Sequence, residues 1–390
     1  MPRRVLLARS ADMLERVSTS DGSSDPRFPR GARVLVAMSG GVDSAVAAAR
    51  LVDQGFEAVG VTLHLWDYPD DAPEKSRCCA PEDAHDARLV ADHLGIAHYT
   101  FDRRELFARD VVAPFVAAYL EGTTPSPCVW CNRTVKMHEL FGLAERLGAA
   151  AVATGHYARV RTDEQGRARL HAGRDARKDQ SYFLHMLGSR ELERLVLPLG
   201  DATKEDVRAE ALARGLPGAD KGESQELCFV PTGDYASFVE ERAEGRVRPG
   251  PIVDAAGRVV GSHGGLHRFT VGQRRGLGIA LGKPTFVTAI DPSRDAVVVG
   301  DEAASSGAVL VDGTWADDVS FPLRAEVKVR SHHRPQPATI EREGADESAR
   351  WVVRFDEPAR AVAPGQIAVA YRGDRVLGGA MIAATRGDGS

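Results

Sequence analysis

The chain has no long hydrophobic run, few cysteines and no basic excess. Nothing in its 390 residues approaches the roughly 18 consecutive apolar residues that a membrane-spanning helix needs. The stretch "MPRRVLLARSADMLERVSTSDGSSDPRFPRG" begins basic, but its apolar run "VLLA" is too short for a signal peptide, and acidic residues interrupt it early. Residues 1–30 are therefore expected to form a polar extension, and the protein to be cytoplasmic, with no membrane partner. The five cysteines are Cys78, Cys79, Cys128, Cys131 and Cys228. An odd, sparse set in a large chain argues against a disulfide scaffold and leaves reactive thiols or a metal site. A net charge of −5 gives no global reason to bind nucleic acid, so any such role must rest on local patches.

Hydrophobic residues make up 43% and charged residues 27%, a balance that leaves room for two or three cores. "RVLVAM" (33–38) is a continuous apolar run of strand length, as expected for a parallel strand covered on both faces. A helix follows, with Ala45, Val46, Ala49 and Val52 near one face. "EAVGVTLHLW" (57–66) reads as strand, 82–95 as helix, "IAHYTFD" as strand, 106–120 and 133–147 as helices, and 149–160 as strand. Such βα alternation predicts an α/β fold with a doubly wound parallel sheet. Thr203 and Gly215 bracket a further helix as N-cap and terminator. Beyond about residue 217, short alternating runs such as "RFTVGQ", "TFVTAI" and "RWVVRFD" replace helices and predict two smaller β-rich domains, the last a β-barrel. The expected boundaries are 31–216, 217–291 and 292–390.

The first strand runs into "MSGGVDS" (38–44). Gly40 and Gly41 at a strand-to-helix turn let backbone N–H groups approach an anion, and the new helix adds its positive end. Ser39 and Ser44 can donate hydroxyl hydrogen bonds, and Asp43 can orient the loop or a Mg²⁺ ion. No lysine follows, so the Walker A pattern is absent. The stretch resembles the PP-loop motif SGGxDS of ATP pyrophosphatases, which split ATP into AMP and pyrophosphate.

Further along, "TPSPCVWCNRTVKMHEL" (124–140) holds a C-x-x-C, and "GESQELCFVPTGDY" (222–235) holds Cys228. With "ATGHYARV", "KDQSYFL", "FTVGQRRGLGIA" and "VAPGQIAVAY", these segments resemble, from about residue 33 onward, the bacterial tRNA 2-thiouridylase family of tRNA sulfurtransferases. The resemblance implies ATP with Mg²⁺, a tRNA substrate, and a sulfur-donor protein, either a persulfide relay or a cysteine desulfurase. It implies ATP contacts at Ala37, Met38, Ser39, Gly40, Gly41, Val42, Asp43, Ser44, Leu63 and Gly155. It implies tRNA contacts at Ser126, Pro127, Cys128, Lys178, Asp179 and Gln180; Arg330, in the basic run 328–335, is read from its charge as a further candidate contact to RNA phosphate. It names Cys131 as nucleophile and Cys228 as persulfide carrier, the two ending the cycle as a disulfide, so at least one segment is expected to move during turnover.

Some relatives carry an acidic residue where this chain has Cys128. The thiol can assist the neighbouring Cys131, or the three thiolates can hold an iron–sulfur cluster with one iron left open. Two cysteines suffice for the persulfide route, which makes the metal-free reading the preferred one. Arg268, Arg274, Arg275 and the run "KVRSHHRP" (328–335) offer cations that could equally form a solvated face. Cys78 and Cys79 are read as structural residues, and His156 as equally a structural or a site residue.

Overall fold

The computed structural model describes residues 25–68, 81–222, 227–230, 232–302, 304–344 and 349–386. Cys78, Cys79 and most of the expected N-terminal extension lie outside the described residues. The chain divides into two compact units. One comprises the residues up to Phe107 with Asn132–Ser181 and Ser189–Gly233; the other comprises Ala108–Cys131, Tyr182–Gly188 and Asp234–Ser390.

The first unit contains β1 (Arg33–Ala37), β2 (Glu57–His64), β3 (Ala97–Asp102), β4 (Ala151–Ala153), β5 (Ala158–Thr162), β6 (Ala168–Ala172) and β7 (Leu195–Val196). Five of these form a parallel sheet in the order β3-β2-β1-β4-β7. β1 is its centre, and Val34, Leu35 and Val36 are fully buried, which is why the strand reads as an unbroken apolar run. The helix Val42–Asp53 packs Ala45, Val46 and Ala49 into the same core as Val207 and Ala211 of the helix Lys204–Ala213. A partly buried ion pair, Arg50 Nη2 to Glu210 Oε2 at 2.6 Å, ties these two helices together. Thr203 is the N-cap of the second helix, in a capping box with Asp206, and Gly215 (φ +62°) follows the helix in the left-handed region.

The single strand expected over 149–160 is two strands. β4 joins the parallel sheet, whereas β5 leaves it and pairs antiparallel with β6. The break falls at Thr154–Tyr157. There a Cβ on Gly155 would stand 3.0 Å from the Asp43 carbonyl carbon and the Ser44 nitrogen, so the chain passes directly against the loop after β1. The expected helices over 106–120 and 133–147 also differ in detail, because Ala108–Val112 and Cys131–Met137 are π-helical. Such wide turns recur at functional sites.

The second unit is β-rich. Its strands β8 (Gly250–Asp254), β9 (Val259–His263), β10 (Phe286–Asp291) and β11 (Ala296–Gly300) form a sheet in the order β10-β11-β8-β9 over a core of Ile252, Val287, Val297 and Val299. Six more strands follow: β12 (Ala304–Trp315), β13 (Leu323–Lys328), β14 (Gln336–Glu343), β15 (Arg350–Arg360), β16 (Ile367–Arg372) and β17 (Arg375–Arg386). Antiparallel pairing runs β12-β15-β14-β13-β16-β17 and returns from β17 to β12, which closes the barrel and leaves no edge within it. Leu310, Val327, Ile340, Val353 and Leu377 fill its interior, and the alternating burial of β13 follows from that.

Candidate functional site

Strand order reverses at β1, which has β2 on one side and β4 on the other. In open α/β sheets such a switch point is where ligands bind, outside the carboxyl ends of the strands. The "MSGG" loop leaves β1 there. Gly40 has φ +72°, and a Cβ on it would come within 2.4 Å of the Asp83 carbonyl oxygen, so both backbone angle and space demand glycine. Gly41 is the N-cap of the helix Val42–Asp53 and, lacking a side chain, makes no cap of its own. The helix therefore opens with its positive end uncovered by a capping carboxylate or hydroxyl.

The hydroxyls expected to face an anion are turned partly inward. Ser44 Oγ donates to the Gly41 carbonyl at 2.9 Å and accepts from the Ser39 backbone N–H at 3.1 Å. Ser44 is thus a brace that fixes the loop, with Ser39 Oγ 3.4 Å away. Met38 is anchored from both sides: its N–H donates to the Val61 carbonyl at 2.8 Å, and its carbonyl accepts from Thr62 Oγ1 at 2.7 Å. Leu63 lies on β2 with its side chain in the core, so only its backbone is available to a ligand. Ala37 ends β1, and Val42 is buried at the helix start.

Asp43 is the chemical centre of this loop. Its Oδ1 accepts from Tyr157 Oη at 2.7 Å and from Lys204 Nζ at 2.6 Å. Tyr157 follows Gly155 at the break after β4, and Lys204 is the first residue of its helix. Tyr157 is held in turn by Gln180: the Tyr157 N–H donates to Gln180 Oε1 at 3.0 Å, and the Gln180 N–H donates to the Tyr157 carbonyl at 2.9 Å. Asp179 Oδ1 accepts from the N–H groups of Gly173 and Ser181 at 3.0 and 3.1 Å. Two of the residues expected to touch RNA thus brace the local backbone, and they connect the Lys178–Gln180 segment to Asp43 through Tyr157. His156 pairs through Nδ1 with Thr154 Oγ1 at 2.7 Å, and burial, aided by the Lys136 charge, pushes its pKa down to about 3. It is a neutral ring at the crevice wall.

Tyr157 and Lys204 escaped the sequence reading. The one signal for Lys204 was its place in "TKEDV", directly after a threonine N-cap, where a cation opposes the helix dipole.

The three described cysteines differ in exposure: Cys128 is exposed, Cys131 buried and Cys228 intermediate. Cys228 belongs to the first unit. Tyr68 Oη donates to its carbonyl, and the next residue, Phe229, packs edge-on against Trp66 and Phe107 at 6.3 and 5.6 Å. Cys128 and Cys131 belong to the second unit, where Ser126 and Pro127 are buried at the start of the short helix Pro127–Trp130. In that unit Arg330 is largely buried, not on a solvated face, and its Nη2 donates to the Val271 carbonyl at 2.8 Å. Arg268 pairs with Glu240 Oε1 at 2.5 Å. Among the described residues no group of three or more His, Cys, Asp or Glu side chains stands where it could hold a metal ion, so the cluster alternative finds no assembled ligand set. No helix among them is long and apolar enough to cross a membrane.

Residues 32–232 match the family described as the tRNA methyl transferase HUP domain. Residues 236–301 match the tRNA methyl transferase PRC-barrel domain, and residues 309–382 the aminomethyltransferase beta-barrel domain. A tRNA-specific 2-thiouridylase MnmA from Sorangium cellulosum is 65% identical over 374 residues, covering 94% of this chain and 97% of that protein. The chain belongs to the MnmA family. A second MnmA, from Chloroflexus aurantiacus, is 50% identical over 356 residues, covering 90% of this chain and 98% of its own. Membership fits the crevice: the glycine-rich loop lies at the switch point of the sheet, with Asp43 as its acidic residue.

Proposed function

We propose that this MnmA-family chain is a tRNA-uridine 2-sulfurtransferase of the cytoplasm, which activates C2 of the wobble uridine with ATP and replaces the C2 oxygen with sulfur. The observation that carries the reading is the loop after β1, where Gly40, Gly41 and a helix N-terminus without a side-chain cap precede Asp43, whose carboxylate is braced by Tyr157 and Lys204. Methyl transfer calls for no polyphosphate cradle; adenylation does. The uridine O2 attacks the α-phosphorus of ATP, the bond to the β-phosphate breaks, and pyrophosphate leaves into the loop. AMP is now the leaving group on C2. Magnesium, bound with the nucleotide, would neutralise polyphosphate charge, and Asp43 is the loop carboxylate that fits it.

Cys228 carries the persulfide delivered by a donor protein. Its terminal sulfur attacks C2 and AMP departs. The Cys131 thiolate then attacks the inner sulfur, the S–S bond breaks with its electron pair left on the sulfur at C2, and a Cys131–Cys228 disulfide remains for a two-electron reductant to reopen. The exposures suit these roles, since Cys228 must meet an external donor and Cys131 needs only the loaded Cys228. Cys128 assists as an auxiliary thiol. Leu63 and Gly155 line the nucleotide, and Lys178 belongs to the tRNA-binding surface; Ser126 and Pro127 are buried and Arg330 is largely buried, so they are not assigned to it. Incubation with unmodified tRNA, ATP and a persulfide donor, aerobically and anaerobically, followed by nucleoside analysis, tests the reading. Absence of 2-thiouridine under both conditions would refute it.

A further inference from the structure

The loop after β1 lacks the lysine that a Walker A loop carries within its own motif, yet an ammonium reaches it from elsewhere. Lys204 Nζ lies 2.6 Å from Asp43 Oδ1 across 161 positions of sequence, and the Lys204 side chain is only 10% exposed. We infer that Lys204 is the phosphate-binding cation of this site, supplying from the Lys204–Ala213 helix the charge that binds the departing pyrophosphate. The inference rests on the ATP-cleaving reading above.

Three observations support it. First, the position is locally unfavourable for lysine. Lys204 opens a helix of 10 residues, where the macrodipole disfavours a cation, and it is buried, where an ammonium loses hydration. A residue that violates local preference in this way marks a site where function overrides stability. Secondly, its backbone is fixed. The Lys204 N–H donates to Asp175 Oδ2 at 3.1 Å, Thr203 caps the helix, and the Arg50–Glu210 ion pair holds the helix against the one that begins at the glycine loop. Only the side chain is left to adjust. Thirdly, the ammonium lies 5.8 Å from the centre of the Tyr157 ring, on the same carboxylate that Tyr157 braces, so it stands beside the loop after β1. An ammonium offers three donors, which lets it keep Asp43 and hold a phosphate oxygen at once. A lysine serving only as the counterion of Asp43 would give the same apo geometry, and the test separates the two.

The experiment measures binding of magnesium pyrophosphate by calorimetry, and pyrophosphate release from ATP with unmodified tRNA, for the full chain and for Lys204→Met, Lys204→Arg and Asp43→Asn/Lys204→Met. Lys204→Met is expected to weaken pyrophosphate binding by about tenfold or more, as loss of a charge-assisted contact does. Lys204→Arg is expected to return most of that affinity. The double variant removes both charges, so it is expected to melt like the wild type and still to bind pyrophosphate weakly. Wild-type affinity in Lys204→Met, or recovery of affinity in the double variant, would make Lys204 a counterion only and overturn the inference while the ATP reading stands. If the wild type itself neither binds pyrophosphate nor releases it from ATP, the ATP reading and this inference fall together.

Discussion

His156 offers a stability test whose sign and size follow from its surroundings. The ring sits directly after Gly155 at the break between β4 and β5, and burial, with the Lys136 charge adding to it, lowers its pKa from 6.5 to about 3. In the folded chain it stays neutral above about pH 3, whereas in the unfolded chain it protonates below 6.5. Between those values the unfolded state binds more protons, so stability is full above 6.5 and falls as the pH drops. At pH 5, one and a half units below 6.5, the loss is about 2 kcal/mol at about 1.4 kcal/mol per unit. Urea unfolding at pH 7 and pH 5 reads this out when wild type and His156→Gln are compared, because the other titrating groups are common to both. The wild type is expected to lose about 2 kcal/mol more than the variant across that interval. Equal losses in the two proteins would show that the ring takes up protons as readily when folded, and the assignment of His156 as a half-buried neutral wall would be wrong.

Other perturbations address the site directly. Tyr157→Phe keeps the ring and removes the hydroxyl that donates to Asp43; it should cost about 1.5 kcal/mol of stability and slow pyrophosphate release about tenfold, and unchanged release would show that this brace does not matter. Lys178→Ala should weaken tRNA binding and lower the log–log salt slope by about one, with ATP binding intact, whereas Gln180→Ala should impair both because Gln180 holds Tyr157; identical profiles for the two variants would break that distinction. Cys131→Ala and Cys228→Ala should abolish 2-thiouridine formation, and Cys128→Ala should only slow it. Iron and sulfide bound in proportion to activity in anaerobically purified protein, and both lost in Cys128→Ala, would instead favour the cluster route.

What could be read from the sequence was local. The run "RVLVA" states its own burial, "SGGVDS" states a strand-to-helix turn that needs glycine, and "TKED" contains both halves of the capping box seen at Thr203 and Asp206. The alternating runs beyond residue 217 announce strands because half-buried sheets alternate, although nothing in them specifies that β17 returns to β12 to close a barrel. The break within 149–160 was hidden because "AVATGHYARV" is apolar and β-branched enough to run on as one strand. The turn is imposed by the approach of Gly155 to the Asp43 and Ser44 backbone, a tertiary constraint with no local signature. Arg330 misled for a similar reason: a charge run reads as exposed cations, free for RNA phosphate or solvent, and only the fold brings the Val271 carbonyl to its guanidinium.

The site itself depends on residues that no local pattern connects. Asp43, Tyr157, Gln180 and Lys204 come from four separate segments, and each contact among them joins a loop or helix end to another element of the same unit. A resemblance can carry a segment such as Lys178–Gln180 to the right place in the chain, but it does not say which way each side chain faces. The Asp179 carboxylate and the Gln180 amide face inward, leaving Lys178 as the one residue of the three whose formal charge is suited to RNA phosphate. The physical consequence is a division of labour within the tripeptide. Lys178 can meet RNA, Asp179 shapes the turn, and Gln180 fixes the tyrosine that braces the loop carboxylate. RNA held at Lys178 would therefore sit on the same short segment that positions Asp43, and a displacement of that segment on tRNA binding would pass to the loop through two hydrogen bonds between Gln180 and Tyr157 and one from Tyr157 to Asp43.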